Sequence, residues 1–280
     1  MGNSSEFYQK GQTLLIVVLV MVVALTIGLS VVSRSITNVR TTTEEANSAQ
    51  ALAAAEAGVA QAIQTNQGVT SAISYGNNAS FTSTVDSLSG QTIVLLNGGS
   101  IVPQDEGADL WLVPHNSDGT PNYTTPGPWS GTSMTIYWGD TAHCPEQAAL
   151  EVLLIKGSSG DPKSQRFALD PCSARSTGAA GNNFTNPSSG SYSIGGRTFS
   201  YSYNLNPNTG LIARIIPIYK NAFIAVESVG AGAPAFPSQG SMITATGKAA
   251  DTTIQRKLNV FQGFSYLPIE YVTYGIFSPR

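Results

Sequence analysis

Apolar positions are spread along this chain in two very different ways. From Leu14 to Val32 they follow one another with only Thr26, Gly28 and Ser30 as interruptions, and neither charge nor proline intervenes. At about 1.5 Å per residue that run makes roughly 28 Å of helix, close to the hydrocarbon thickness of a bilayer. A removable Sec-type signal has a shorter apolar core followed by a small-x-small site, whereas this run continues into more helix-forming sequence. Ile36, Val39, Ala46, Ala49, Ala53, Ala57, Ala60 and Ile63 recur mostly at threes and fours, which predicts a narrow stripe of small apolar side chains for helix packing. No proline occurs before Pro103, and residues 44–64 are rich in Ala, Glu and Gln, all strong helix formers. The pattern therefore predicts one helix of about 50 to 55 residues, on the order of 80 Å long. Residues 12–33 form its transmembrane half and residues 34–66 its amphipathic half. Gly58, inside that helix, costs around 1 kcal/mol relative to Ala; close backbone approach or a slight bend explains it.

From Gln67 onward the pattern changes. Turn residues separate short β-type runs, and the rhythm persists through the rest of the chain. Candidate strands are Phe81 to Val85, Thr92 to Leu96, Leu110 to Val113, Met134 to Trp138, Ala149 to Ile155 and Gln165 to Leu169. Further strands are expected at Thr198 to Leu205, Ala213 to Tyr219, Phe223 to Val229, Met242 to Ala245 and Thr252 to Phe261. "FSYSYNL" alternates aromatic and polar residues as a half-buried antiparallel strand does. "SARSTGAAGNNFTNPSSGSYSIGG" is rich in Gly, Ser and Asn and reads as a long loop. The expected fold class is α+β, a long N-terminal transmembrane and amphipathic helix packed on an antiparallel β-rich head over residues 67–280.

Composition narrows the functions available. Charged residues make up 11% of the 280 and the formal net charge is -3, so no basic surface exists to hold a nucleic-acid backbone. The two cysteines, Cys144 and Cys172, suit a disulfide on an oxidising side of a membrane. A bridge between them would stabilise by roughly 3 to 4 kcal/mol in the chain-entropy model. No Cys-x-x-Cys accompanies them, and the adjacent His143 lacks further ligands at metal spacing, so neither a metal nor a cofactor is expected. His115 and His143 have no Gly-x-Ser-x-Gly elbow or comparable signature beside them, and no catalytic residues are assigned. "SDGTPNY" and "SSGDP" place Asp in turns without the spacing of a calcium loop. Trp111, Trp129 and Trp138 are expected in the core or in cross-strand pairs. Asn78, Asn122 and Asn183 fit Asn-x-Ser/Thr, which occurs readily by chance in so Asn-, Ser- and Thr-rich a chain.

A short polar leader ending in Lys10-Gly11, followed directly by an apolar helix that becomes amphipathic, resembles the class III signal of type IV pilin-like proteins. "RTTTEEANSAQALAAAEAGVAQAI" looks more specifically like PilX-like minor pilins and K-type minor pseudopilins. "IQRKLNVFQGFSYLPIEYVTYGIFS" looks like the closing strand and tail of such proteins. The firm part of the resemblance covers roughly the first 65 residues. It implies a leader at residues 1–11 and cleavage by prepilin peptidase between Gly11 and Gln12, with the apolar helix left in place. Major pilins carry a glutamate at the fifth mature position, and the corresponding residue here is Ile16. That departure is shared with K-type pseudopilins at filament tips, and the resemblance therefore implies a minor or tip subunit. Implied partners are other pilin-like subunits, the prepilin peptidase, a membrane-embedded assembly platform and, before assembly, membrane lipid. Implied localisation is a single-pass cytoplasmic membrane protein with an extracytoplasmic head, later part of a surface or periplasmic filament. Arg34 and Arg40 follow the helix while only Lys10 precedes it, so a simple positive-inside count points the other way. The placement of Lys10-Gly11, the acidic Glu44 and Glu45, and the cysteines favour the pilin-like orientation. Two rivals remain at this stage: a surface-anchored binding module that never polymerises, and an anchored extracytoplasmic enzyme.

Overall fold

The computed structural model describes residues 8–74, 78–124, 128–140, 144, 146–158, 160–230, 232–250 and 253–264. The first seven residues, His143 and the tail from Ser265 lie outside the described residues. One helix, α1 (Tyr8–Thr65), is followed by an antiparallel, sheet-rich globular part, as an α+β layout requires. At 58 residues it is slightly longer than expected, and it begins within the proposed leader rather than after it. Asn66, with φ of 50°, follows directly and turns the chain away, as a left-handed residue past a helix C-terminus does.

Thirteen strands follow among the described residues: β1 (Val69–Ser74), β2 (Ser80–Ser87), β3 (Ile93–Leu95), β4 (Ala108–Trp111), β5 (Met134–Trp138), β6 (Ala149–Ser158), β7 (Asp161–Leu169), β8 (Ser188–Ile194), β9 (Arg197–Leu205), β10 (Gly210–Ile218), β11 (Ile224–Ser228), β12 (Gly240–Lys248) and β13 (Gln255–Gly263). A one-turn helix, α2 (Ser173–Ser176), separates β7 from β8. The strands form three sheets, ordered β1-β2-β12-β13, β4-β10-β6-β7 and β3-β11-β5-β9-β8. By compactness the chain divides into two units. The first is Met1–Gln64, Gly68–Ser83 and Ala245–Leu258; the second is Thr65–Gln67, Thr84–Thr244 and Asn259–Arg280.

In the first unit the second half of α1 packs through very small side chains. Ala51, Ala54, Ala55, Val59 and Ala62 are buried there together with Gly58. The expected stripe is corrected on this point. Ala46, Ala49, Ala53 and Ala60 are exposed and Ala57 is half-buried, so at about 100° per residue the sheet takes roughly the opposite face of the helix. Alanine occupies both faces of this segment, and hydropathy alone does not distinguish them. What selects the buried face is shape. A Cβ on Gly58 would come within 2.7 Å of the Phe81 ring, and Phe81 is itself buried with Ala54 and Ala79. A Cβ on Gly247 in β12 would collide with the Ala51 carbonyl oxygen and the Ala55 amide nitrogen. The close approach expected from Gly58 is thus present, and a second glycine on the strand side shares it. Arg256 of β13 ties the same helix by donating to Ser48 Oγ at 2.9 and 2.6 Å.

The second unit is a β-sandwich. Leu110, Leu150, Val152, Leu154, Ala213 and Ile215 of one sheet meet Met134, Ile136, Trp138, Leu205, Ile224 and Val226 of the other in one apolar core. Period-two alternation puts these residues inward and their neighbours outward. In β5, all five residues are buried, because its outward Thr135 and Tyr137 are covered as well. The loop expected over 173–196 is also corrected: it contains α2 and β8. β8 is an edge strand with mostly exposed Ser and Gly, so it has no apolar alternation by which to be recognised. β1 was likewise not expected. The other strands coincide with the expected runs to within a few residues, most extensions being into exposed hairpin ends such as β7.

Candidate functional site

The most distinctive chemical surface is α1 itself. Every Leu, Ile, Val and Met from Leu14 to Val32 is at least half exposed, from 50% at Val23 to 71% at Leu14. The helix is long and apolar enough to cross a membrane. Apolar on all sides, it has no wet face, so water is the wrong solvent for it. Ile16 is exposed at 53% within this surface and brings no carboxylate to it. Gly11 and Gln12 lie in the backbone of the first helical turns. Gly28 has open space where a side chain would be. Such a helix serves as a membrane anchor or as a signal sequence.

Between the apolar part and the packed part lies a segment of different character. The hydroxyls of Thr37, Thr41, Thr42 and Thr43 donate back to the carbonyls of Ser33, Thr37, Asn38 and Val39 at 2.8–3.0 Å. These side chains satisfy themselves locally, since nothing else among the described residues covers residues 33–45, all of which are exposed.

In the sandwich, three polar centres stand out that sequence patterns do not reveal. Asp170, fully buried, accepts hydrogen bonds from the Cys172 amide (2.8 Å), Arg175 Nη2 (2.8 Å) and Nε (3.1 Å), and Asn182 Nδ2 (2.8 Å). Burial pushes its carboxyl up, the largest single effect, but the hydrogen bonds from Arg175, Cys172 and Asn182 and the Arg175 charge together carry it below the usual range. Arg175 also donates to the Gln147 carbonyl at 2.8 Å and lies over the Tyr219 ring, 4.5 Å from its centroid. The Cys144–Cys172 disulfide, with Cα atoms 5.3 Å apart, joins the same corner. The cluster fixes how the chain leaves β7, and its donors converge on a carboxylate already in place, leaving no open coordination for a ligand.

A second centre pairs Asp109 of β4 with Arg214 directly opposite on β10, by bonds of 2.7 and 2.8 Å between nearly inaccessible side chains. Beside it, Gln239 caps the edge of β4. Its amide donates to the Trp111 carbonyl at 2.9 Å and accepts from the Trp111 amide at 2.8 Å, as a neighbouring strand would. In the third, His115 stacks on Phe264 at 3.6 Å and meets the edge of Trp111 at 4.5 Å. Burial holds its imidazole below its ordinary pKa, and Nδ1 has no hydrogen-bond partner among the described residues. It sits among aromatic rings rather than beside a nucleophile.

The tryptophans behave as expected of core residues. Trp138 is fully buried with Nε1 donating to the Ala148 carbonyl at 3.0 Å, and Trp129 stacks on Phe236 at 4.9 Å. On the outer face of the five-stranded sheet, Tyr137 donates to Glu227 at 2.7 Å. Burial and this carboxylate push its phenol up to about 12. Asp118 accepts from the Thr120 amide and hydroxyl at 2.9 and 2.6 Å, closing the expected turn.

A cleft of about 320 Å³ opens between Gly139, Asp140, Glu146, Arg197 and Phe223. Its cation is already engaged: Arg197 lies 3.8 Å from the Phe223 ring centroid and donates to the Gly99 carbonyl at 3.1 Å. Among the described residues no group of three His, Cys, Asp or Glu side chains is placed to hold a metal. Compared with known protein families, curated proteins and solved structures, the chain matches none.

Proposed function

We propose that this chain is a non-enzymatic minor subunit, at or near the tip, of a type IV pilus or related pseudopilus filament. The observation that carries the reading is the unbroken course of α1, whose apolar first part is bare on every side while its second part is seated on β-sheet by Ala and Gly. A helix of this construction can exchange lipid for neighbouring helices without refolding, since both environments cover the same apolar surface. In this reading prepilin peptidase cuts between Gly11 and Gln12, the assembly platform draws the subunit from lipid, and other pilin-like subunits take the place of the bilayer around Leu14–Val32. Ile16 withholds the charge that would fix axial register against a following subunit, which suits a terminal position.

Intact mass and N-terminal sequencing of protein recovered from membranes of cells with and without the peptidase test this. A terminus at Gln12 that disappears in the peptidase-deficient cells and with Gly11→Leu is expected. An uncut terminus in both would leave a membrane-anchored binding module instead.

A further inference from the structure

One end of the sandwich carries the cleft lined by Ile101, Asp140, Glu146, Arg197, Phe199 and Phe223. Gly139, with φ of 79°, follows β5 and turns the chain so that Asp140 comes next at the rim. Phe199 and Ala222 are buried and close the inner side, while Ile101 stays 42% exposed, a large apolar side chain that the fold itself leaves open. At about 320 Å³ the cleft is at the lower end of the range of small-molecule sites, with room for one ring rather than a row of them.

Its walls are tied down from several sides. Val102 and Ala222 exchange backbone bonds of 2.8 and 3.0 Å beside Ile101. Asn221 Oδ1 accepts from the Gln104 amide at 2.8 Å, which leaves Nδ2 of the same side chain to donate. Arg197 is held by the Phe223 ring and the Gly99 carbonyl, and a guanidinium carries more donors than these contacts use. Arg175 donates to the Gln147 carbonyl at 2.8 Å and so fixes the segment that presents Glu146. Two residues before Asn221, Tyr219 takes φ of 73°, a conformation unusual for a bulky side chain, and Arg175 lies over its ring. Backbone strain of this kind gathers where the geometry of a site is held in advance.

Asp140 and Glu146 are exposed, and neither makes an ion pair or a hydrogen bond among the described residues. Two such carboxylates and a guanidinium at one mouth narrow the ligand. An anion would meet Asp140 and Glu146, a lone cation would meet Arg197, and an apolar body would strip water from all three without replacing it. A neutral ring with hydroxyls around its edge suits both signs, since each hydroxyl can donate and accept. We infer that this cleft binds a single saccharide ring, a neutral hexose or N-acetylhexosamine of a glycan, with its hydroxyls on Asp140, Glu146, Arg197 and Asn221 and its C–H face on Ile101 and Phe223. The hydroxyls donate to the two carboxylates and accept from Arg197 and from Asn221 Nδ2. The assignment is independent of the filament reading.

The test uses the full chain in micelles of a zwitterionic detergent that carries no sugar headgroup. Methyl glycosides of glucose, galactose, mannose, N-acetylglucosamine and N-acetylgalactosamine are titrated in turn, and saturation transfer from protein to ring protons is read by NMR. For at least one of them, transfer that saturates with a dissociation constant in the low millimolar range is expected, as suits a single ring. In the Asp140→Ala/Glu146→Ala chain that constant should rise at least tenfold, because charge-assisted bonds are lost. The Asp86→Ala/Glu106→Ala chain removes the same charge from exposed positions outside the cleft and should bind as the wild type does. Amide exchange over 134–138 and 224–228, unchanged in both variants, checks that the sheet under the cleft is intact. No transfer to any of the glycosides, or equal binding by all three chains, would overturn the inference. So would saturable binding of lysinamide alone, which would make the cleft a cation site.

Discussion

Adding one methyl group at Gly247 should loosen α1 from its sheet. An ideal Cβ there falls inside contact distance of the Ala51 carbonyl oxygen and the Ala55 amide nitrogen, and those are helix backbone atoms that no rotamer change can move. Restoring an ordinary contact of about 3.4 Å requires the strand and helix to separate by roughly an ångström, at a cost typical of overpacking, about 1–3 kcal/mol. The same separation weakens the burial of Ala51, Ala54, Ala55, Val59 and Ala62. Against this stands a gain of about 0.4–1 kcal/mol, because alanine restricts the unfolded chain more than glycine does. The net effect of Gly247→Ala is destabilisation of about 1–2 kcal/mol, concentrated in the first unit. Since α1 and β12 can separate locally without global unfolding, the assay is amide exchange over residues 51–62 of the full chain in micelles. A 5- to 30-fold acceleration there is expected. Gly160→Ala, at a hairpin position with open space and no left-handed φ, is the control and should leave these rates unchanged. Equal rates over 51–62 in the wild type and Gly247→Ala chains would refute the close-packing argument.

Asp170→Asn should cost about 1–3 kcal/mol, because it removes a buried carboxylate that accepts bonds from Arg175, the Cys172 amide and Asn182, and urea midpoints at pH 7 would show it. Its carboxyl is held below the ordinary value in the fold, so the stability it contributes is present above about pH 4 and lost as pH falls through the folded pKa; that part of the acid dependence should vanish in the variant. Tyr137 shifts in the opposite sense. Its phenol, raised from 10.0 to about 12, stabilises the fold fully below pH 10 and loses that contribution as pH rises toward 12, and Tyr137→Phe should flatten the alkaline limb in a pH series of denaturant melts. Replacing Thr37, Thr41, Thr42 and Thr43 by Ala should stabilise the uncovered stretch of α1 by about 2 kcal/mol from propensity alone, slowing amide exchange over 36–46 by more than tenfold; no slowing would mean that contacts outside the chain already set the stability there.

The elements that were legible in the sequence are those whose pattern one physical effect dominates. A run without charge from Leu14 to Val32 has few alternatives to helix, and Met134–Trp138, with its β-formers between turn residues, is a strand in any reading. Legibility failed where the deciding information lies in the partner. Alanine at both 53 and 54 is equally consistent with either face of α1, and only Gly247 and Phe81 on the sheet side decide between them. β8 carries Ser and Gly because its faces stay wet, so its strand character comes from pairing with β9 rather than from its own sequence. Asp170, followed by Pro171, carries no distinguishing signature in the sequence. Its four donors come from residues 2, 5 and 12 positions on and converge only when the chain folds back after β7. The Asp109–Arg214 pair, 105 residues apart, was invisible for the same reason.

The apolar half of α1 sets a lower limit on what must surround this chain. Leu14–Val32 contains fifteen Leu, Ile, Val and Met residues, all at least half exposed. Covering that much side chain is worth on the order of 20 kcal/mol, more than the roughly 5–15 kcal/mol that holds an ordinary domain together. A bilayer or a bundle of neighbouring helices would supply cover of that size. The segment of hydroxyl-bearing residues 33–43 then separates two regimes. Before it, the apolar side chains of α1 are exposed; after it, Ala and Gly contacts within the chain hold the helix. A perturbation in the packed half, such as Gly247→Ala, should accordingly leave membrane retention intact while loosening residues 51–62. Loss of both together in a sedimentation and exchange experiment would show that the two halves of α1 are coupled through the intervening stretch.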